Sequence, residues 1–160
     1  MQLGYVVLAA AQAAEAGEDL QEVAAAARAM MPRTKVYFVV DTLEYLHRNG
    51  RIGAAAMLFG SALNLKPLLS IQEGIVTPVA KIRSRRKALD RMIGLMEEQV
   101  TPGARLHLAV LHVAASDEAL HLRDELVARF HPLDVTFSEC GPVIGAHAGP
   151  GTLGVAFYVE

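Results

Sequence analysis

The second half of the chain alternates between short apolar stretches rich in β-forming residues and longer amphipathic stretches with helical spacing. Strands that alternate with helices form a sheet covered by helices, because right-handed crossovers return each strand to the same sheet. The pattern predicts an α/β fold of an α+β-like two-layer kind, with a mixed β-sheet and helices mainly on one face. The predicted strands are 105–113, 133–138 and 152–159, and the predicted helices are 84–100 and 117–130, the last capped by Ser116.

Two alanine-rich helices are predicted at the amino terminus, ahead of the sheet. Residues 3–16 carry an apolar stripe closed by a glycine, and residues 20–30 form a second helix that ends before Pro32. The two helices form a hairpin that either packs on the sheet or connects to another domain. We therefore divide the chain into a helical hairpin or connector, residues 1–32, and an α/β domain, residues 33–160.

Turn residues divide the segment that follows the hairpin. Residues 35–40 are apolar on both faces, as in a buried strand, and Gly74 lies in the turn between two further strands, 67–71 and 75–79. Pro78 cannot donate a backbone hydrogen bond, so its strand is expected at an edge of the sheet.

Two short helices are predicted between the first strand and this hairpin of strands. Asp41 and Glu44 have the spacing of a capping box, and Asn49 and the glycine after it end the first helix. The second helix is predicted at 54–63 from its run of small and apolar residues.

Composition excludes several classes of protein. Apolar residues make up 52% of the 160 residues and charged residues 20%, which excludes a disordered chain. No apolar run approaches the ~18 residues that a membrane-spanning helix needs, so we expect no membrane span. The amino terminus lacks the basic region and cleavage site of a secretory signal, which favours the cytoplasm. The net charge of −2 argues against nucleic acid as a partner, and the single cysteine, Cys140, excludes an internal disulfide.

One histidine lies in a glycine-rich segment near the end of the chain. Residues 139–154 contain five glycines and two prolines around His147. Glycine lets a ligand approach the backbone closely and proline stiffens the turns on either side, so the segment is typical of a loop that presents a side chain to a ligand. An imidazole N–H held in such a loop can donate to an anionic oxygen.

Three stretches of the sequence resemble those of DegV-type fatty-acid-binding proteins. They are Gly-Pro-Val-Ile-Gly-Ala-His-Ala-Gly-Pro-Gly-Thr-Leu-Gly-Val-Ala-Phe-Tyr at 141–158, Val-Asp-Thr-Leu-Glu-Tyr-Leu at 40–46 and Arg-Asn-Gly-Arg-Ile-Gly at 48–53. The resemblance implies a protein that holds a long-chain fatty acid, without a cofactor or a metal, and presents it to a fatty-acid kinase for phospholipid synthesis. DegV-type proteins have an additional amino-terminal α/β domain, which this chain is expected to lack.

The resemblance also implies a site for the fatty-acid carboxylate. It places His147 beside the carboxylate, with Gly145 and Gly149 in the same segment and Arg51 near the head group. Arg51 is equally consistent with a surface arginine in a turn. The hydroxyl side chains that complete the site in the family belong to the amino-terminal domain, and no hydroxyl of this chain is assigned in their place. The chain is therefore expected to form only part of the binding site.

The acyl chain of such a ligand needs an apolar wall. Burying a methylene group stabilises a complex by ~0.8 kcal/mol, so a tail of about fifteen carbons contributes on the order of 10 kcal/mol before other costs. The predicted helix at 54–63 offers Met57, Leu58 and Phe59, and the glycine-rich segment offers Ile144. Ordinary core packing is the other explanation for the three residues of the helix.

A basic run precedes and begins the helix predicted at 84–100. Residues 81–91 hold six of the fifteen Lys and Arg residues of the chain, although its net charge is negative. Positive charge at a helix amino terminus is unfavourable by roughly 0.3–1 kcal/mol for each residue, so something negative is expected to compensate it. The family resemblance implies that this face docks the kinase, through Arg83, Arg85 and Arg86. A solvated helix start paired with local acids is the alternative.

Two other functions stay open at this point. An acyl or phosphoryl transferase could use His147 as acid or base, but no partner nucleophile accompanies it, and we do not expect an enzyme. A protein-interaction domain that holds no lipid could use the hairpin and the basic helix. His107 and His112 lie five residues apart on a predicted strand, hence on opposite faces, and do not form a metal-binding pair.

Overall fold

A six-stranded mixed β-sheet organises the chain. The structure, a computed structural model, describes residues 1–59 and 65–160. The strands are β1 (Lys35–Val39), β2 (Leu68–Gln72), β3 (Ile75–Ala80), β4 (Leu106–His112), β5 (Asp134–Glu139) and β6 (Leu153–Val159). Their order across the sheet is β3-β2-β1-β6-β4-β5, and β4 and β5 are the parallel pair among the described strands. The predicted mixed sheet is confirmed.

The helices lie before, between and after these strands. They are α1 (Gln2–Glu15), α2 (Leu20–Met30), α3 (Glu44–Arg48), a 3-10 helix (Gly53–Leu58), α4 (Arg85–Glu97), α5 (Ser116–Phe130) and α6 (Pro142–Ala148). The predicted hairpin of two helices ahead of the sheet is confirmed. Within the described part of the chain, no helix is long and apolar enough to cross a membrane.

The long helices α4 and α5 cover one face of the sheet with apolar side chains. In α4, Ala88, Met92 and Met96 recur at helical spacing and are fully buried. They belong to one cluster with Leu126 of α5 and Phe157 of β6. Removal of this apolar surface from water is the main hydrophobic stabilisation of the fold.

The helical hairpin contributes to a smaller apolar cluster on the opposite face of the sheet. Tyr5 of α1 is buried against Ala109 and Ala156, whose small side chains let the helix approach the strands. The Tyr5 hydroxyl donates to the backbone oxygen of Ala156 at 3.5 Å. In α2, Asp19 and Glu22 form a reciprocal capping box. The division between the hairpin and the α/β domain stays a prediction.

The turn between β2 and β3 follows from its residue types. Glu73 and Gly74 both have positive φ, +50° and +78°, as a two-residue turn between antiparallel strands requires. The predicted role of Gly74 is confirmed. Pro78 lies in β3, which is an edge strand of the sheet, so its predicted edge position is confirmed as well.

Three local predictions about helix ends were wrong. Asp41 does not start a capping box, because Leu43 is the N-cap of α3 and the Asp41 carboxylate pairs with Lys66 and Arg85. Ser116 is the first residue of α5, and Ala115 is its N-cap. The helix predicted at 54–63 is a 3-10 helix that ends at Leu58, and residues 60–64 of that prediction lie outside the described residues.

We expect Met92→Ala to lower the free energy of unfolding by about 2–5 kcal/mol, because it leaves a cavity in the main core. Met31→Ala is the matched control, since Met31 is exposed, and it should change that free energy by less than about 0.5 kcal/mol. Equilibrium unfolding in urea measures both variants. Equal losses from the two substitutions would contradict the assignment of the core.

Candidate functional site

One edge of the sheet gathers the segments that carry the predicted site residues. At this edge β1 ends, β4 and β5 end, and β6 begins: Leu153 is opposite both Val39 and His112, and His112 is opposite Glu139. The chain leaves β1 into α3 and leaves β5 into α6. The 48–53 stretch and the His147 segment therefore meet although about a hundred residues separate them.

The segment around His147 is a short helix followed by a glycine turn, and the prediction of a glycine loop was wrong for its first part. Pro142 occupies the first turn of α6, where its missing N–H costs nothing, and the helix includes Gly145. The backbone becomes irregular only at Gly149 and Gly151, with φ of +81° and +79°. His147 therefore projects from the last turn of a helix.

The imidazole of His147 contains a buried nitrogen. Its Nδ1 is shielded from solvent and has no hydrogen-bond partner among the described residues, although the side chain as a whole is only partly buried. A buried polar atom without a hydrogen bond is destabilising by about 1–3 kcal/mol. A rotation of the ring that brings this nitrogen to the surface would let a ligand atom bond to it and would remove that cost.

Helix α3 holds α6 in place through two contacts. The Asn49 side-chain amide donates to the backbone oxygens of Ala146 at 2.9 Å and Tyr45 at 3.0 Å, so it bridges the end of α3 to α6. The ring of Tyr45 lies against Gly149 so closely that a Cβ there would be 2.3 Å from Cδ2 of the ring. Gly149 is thus required by packing as well as by its φ.

Arg51 lies two residues beyond the asparagine that contacts α6. Its side chain is exposed, and its Nη1 donates to the backbone oxygen of Asn49 at 3.2 Å. Its backbone N–H donates to Leu46 at 2.8 Å, which closes the turn after α3. The guanidinium group has five N–H donors, so most of them stay available to an anionic ligand.

The predicted apolar wall separates into one buried residue and three exposed ones. Leu58 is buried in a cluster with Val40, Leu43, Leu46, Ala55 and Leu69. Met57, Phe59 and Ile144 are 70%, 43% and 54% exposed, and the Phe59 ring stacks on His47 with centroids 4.0 Å apart. Val143, next to Ile144, is also exposed and was not predicted from the sequence, although it shares the apolar start of α6.

The three arginines of the basic run have different surroundings. Arg83 and Arg86 are exposed. Arg85 is partly buried and paired with Glu118 and Asp41. These two acids provide the negative charge that the basic helix start was expected to need, and their involvement could not be predicted because they lie far from Arg85 in the sequence.

An open groove lies beside Arg85 at the same sheet edge. It has a volume of about 840 Å³. Phe137 and the first turn of α5 line it, together with Arg85, Asp41 and Gly151. The groove therefore adjoins the loop that follows His147.

The remaining candidates for chemistry have structural surroundings. His107 contacts Asp134 and Glu160, whereas Nδ1 of His112 accepts from the Ala115 N–H at 3.4 Å, so the two histidines face opposite sides as predicted. Within the described residues, no group of three His, Cys, Asp or Glu side chains could hold a metal ion. Burial raises the pKa of the Cys140 thiol, which disfavours the reactive thiolate.

Comparison with known proteins gives the family of the chain. The family model described as "Uncharacterised protein, DegV family" matches residues 1–160. The chain belongs to the DegV family. A DegV domain-containing protein from Streptomyces coelicolor is 49% identical over 156 residues, which are 97% of this chain and 55% of that protein.

Solved DegV structures share the fold. A DegV family protein from Thermus thermophilus, described as binding fatty acid, superposes with a TM-score of 0.90 at 34% identity, covering 98% of this chain and 56% of that one. DegV from Bacillus subtilis, described as a fatty-acid-binding protein, superposes with a TM-score of 0.87 at 32% identity, again over 98% and 56%. The chain spans about half the length of the relatives it matches.

We expect Gly149→Ala to disturb the site of this DegV chain by two separate effects. The φ and ψ of Gly149, +81° and 163°, lie in a region almost restricted to glycine, which costs on the order of 1–3 kcal/mol, and the new methyl group would overlap the Tyr45 ring. Gly17→Ala is the control, because Gly17 also has positive φ, +83°, but a Cβ there meets nothing within 4 Å. Thermal unfolding should show a larger loss for Gly149→Ala, and equal losses would contradict the Tyr45 contact.

Proposed function

We propose that this chain holds a long-chain fatty acid with the carboxylate beside His147. The observation that carries the proposal is the buried Nδ1 of His147, which lacks a partner among the described residues. In one tautomer of the imidazole this nitrogen carries a hydrogen and donates to an anionic oxygen, and protonation of the ring would add charge to that bond. The fatty-acid-binding DegV relatives support the choice of a carboxylate as the anion.

Arg51 and the backbone of the His147 segment complete this chain's share of the head-group site. Arg51 keeps guanidinium donors beyond its bond to Asn49, and Asn49 bonds to α6 itself. Gly145 carries no side chain, so a ligand can approach the backbone there. At Gly149 the Tyr45 ring already fills that space, so its predicted contact with the ligand is not part of the proposal. A carboxylate cannot be buried unpaired without a cost of several kcal/mol, so the site must supply several donors.

The tail would lie along the apolar residues near the two helices of the site. Met57, Phe59 and Ile144 are large, apolar and exposed, which is the state expected of side chains that a ligand or another domain covers. Leu58, between Met57 and Phe59 in the chain, is buried in the core instead and anchors that segment. At ~0.8 kcal/mol for each buried methylene, the tail and not the head group supplies most of the affinity.

The chain alone would form only part of this binding site. It spans about half the length of its relatives. In the proposed arrangement, an amino-terminal DegV domain supplies hydroxyl groups to the carboxylate. The protein acts as a carrier and not as an enzyme, and a cytoplasmic location belongs to the same proposal.

The partner of the carrier would be a fatty-acid kinase that docks on the start of α4. Arg83 and Arg86 are exposed there, and the helix dipole adds positive potential at the same place. An acidic surface of the kinase would compensate the positive charge of the two arginines and of the helix dipole. Arg85, the third predicted docking residue, is already paired with Asp41 and Glu118 and is less available to a partner.

We expect His147→Ala to weaken fatty-acid binding by about tenfold or more, because a hydrogen bond to a charged group contributes about 1.5–3 kcal/mol. His121→Ala is the control, since His121 is exposed on α5. Displacement of a fluorescent fatty acid gives the affinity, and native mass spectrometry gives the lipid that stays bound. Both are measured on the 160-residue chain and on a form of it joined to an amino-terminal DegV domain.

Two results would contradict the carrier proposal. One is an unchanged affinity in His147→Ala in every form that binds lipid. The other is the absence of binding in both forms after incubation with mixed fatty acids, which would favour an interaction domain without lipid. Turnover of an acyl or phosphoryl donor that is lost in His147→Ala would favour the transferase instead.

We expect the double reversal Arg83→Glu with Arg86→Glu to raise the KM of the kinase for the loaded carrier by about tenfold or more, because a charge reversal at an interface slows association. The affinity for fatty acid should stay unchanged. Arg28→Glu, on the exposed part of α2, is the control. Normal kinase kinetics in the double variant, with the same dependence on salt as the wild type, would exclude docking at this face.

A further inference from the structure

All three nitrogens of the Arg85 guanidinium group are engaged within the chain. Nε donates to both carboxylate oxygens of Glu118, at 2.7 and 2.8 Å. Nη1 donates to Oδ1 of Asp41 at 3.2 Å, and Nη2 donates to the backbone oxygen of Gly151 at 2.5 Å. The side chain is only 21% exposed. Such a planar fork with three different acceptors fixes the relative position of the segments that supply them.

These acceptors belong to three segments that are far apart in the sequence. Glu118 lies in the first turn of α5, Asp41 follows β1, and Gly151 belongs to the turn that joins α6 to β6. Arg85 itself begins α4. The arginine therefore connects the basic helix to the turn that directly follows His147.

The turn after His147 depends on such outside contacts because it has few side chains of its own. Gly149 and Gly151 both adopt positive φ, and glycine loses more conformational entropy on ordering than other residues. Within the turn, the Gly151 N–H donates to the backbone oxygen of Val113 at 2.8 Å, and the Thr152 hydroxyl donates to Gly149 and Ala148. The bond from Arg85 satisfies the Gly151 oxygen.

Asp41 reinforces the same turn from the other side. A Cβ on Gly151 would lie 3.2 Å from Cγ of Asp41, so the carboxylate packs closely against the glycine. Lys66 holds that carboxylate, with Nζ 2.7 Å from Oδ1 and 3.1 Å from the Asp41 backbone oxygen. Arg85 and Lys66 balance Asp41 and Glu118, so the cluster is neutral and mutually paired.

We propose that Arg85 is a positioning residue for His147. Arg85 holds the 149–151 turn, and the turn keeps the imidazole in place for the ligand head group. This role rests on the proposed function, which supplies the fatty-acid ligand. The new part is that Arg85 orders the segment that carries His147. It also distinguishes Arg85 from Arg83 and Arg86, which stay exposed for a partner.

Hydrogen exchange of the ligand-free chain tests the positioning directly. Arg85→Gln removes the charge and most of the fork, and we expect the amides of Gly149, Gly151 and Val113 to exchange about tenfold faster or more. Amides in the centre of β4 and β6 should keep their protection. Unchanged exchange in the turn, or a uniform rise over the whole sheet, would overturn the positioning role.

Arg85→Lys separates the charge from the geometry. Lysine keeps the positive charge but cannot bond to Glu118, Asp41 and Gly151 at once in a planar arrangement. Exchange in the turn should therefore stay faster than in the wild type. Full recovery of wild-type exchange in Arg85→Lys would show that charge alone is sufficient, and the fork would have no positioning role.

A double-mutant cycle with His147 tests whether Arg85 acts through the histidine. Arg85→Gln should weaken fatty-acid binding in the wild type but should add little to the loss already caused by His147→Ala. Additive losses of affinity would show that Arg85 does not act through His147. Arg91→Gln, six residues along the same helix, exposed and paired only with Glu98 among the described residues, is the control and should leave the affinity unchanged.

The outcomes separate this inference from the proposed function. Unchanged binding in His147→Ala contradicts the proposed function, and the exchange of the turn amides still decides whether Arg85 orders the segment. Weakened binding in His147→Ala together with unchanged binding in Arg85→Gln contradicts only the positioning role.

Discussion

The pairing of β6 with two neighbours is the interaction on which the rest of the structure depends. β6 pairs with β1 on one side and with β4 on the other, both antiparallel, so the last strand joins the first part of the chain to the second. Leu153, Val155 and Ala156 are fully buried in it. Leu153 and Val155 face the main core, whereas Ala156 faces the helical hairpin. A shift by one residue would exchange the large and small side chains between these two faces, so the register is strongly fixed.

The position of the site follows from this pairing. The segment before β6 must lie at the edge where β1 and β4 end, so α6 and its histidine are brought against α3. Two kinds of contact then hold the segment. Asn49 acts on the helix, and Tyr45, Arg85 and Asp41 act on the turn. The same edge thus combines a buried imidazole nitrogen that has no hydrogen-bond partner among the described residues, an exposed arginine two residues beyond Asn49, and large exposed apolar side chains.

The acyl tail and the carboxylate of the proposed ligand require different surroundings. The tail needs apolar surface to cover it. Small shifts of the apolar side chains change its binding little, because the hydrophobic effect has no direction. The carboxylate needs donors at hydrogen-bond distance, so small displacements of His147 matter. Accordingly, Arg85 bonds to the turn next to the histidine and to Asp41, whereas Met57, Phe59 and Ile144 are exposed.

The sequence by itself determined the features that depend on residues close together in the chain. The turn at Gly74, the edge position of Pro78, the two amino-terminal helices and the alternation of strands and helices were all predicted, because conformational preference and periodicity are local properties. The family resemblance, carried by local motifs, singled out His147 before any geometry was known. Only the tertiary structure decided that α6 is a helix, that Tyr45 requires a glycine at 149, and that Arg85 faces inwards. The partners of Arg85 lie 33, 44 and 66 residues away, and their meeting is decided by the register of the sheet, which no local pattern records.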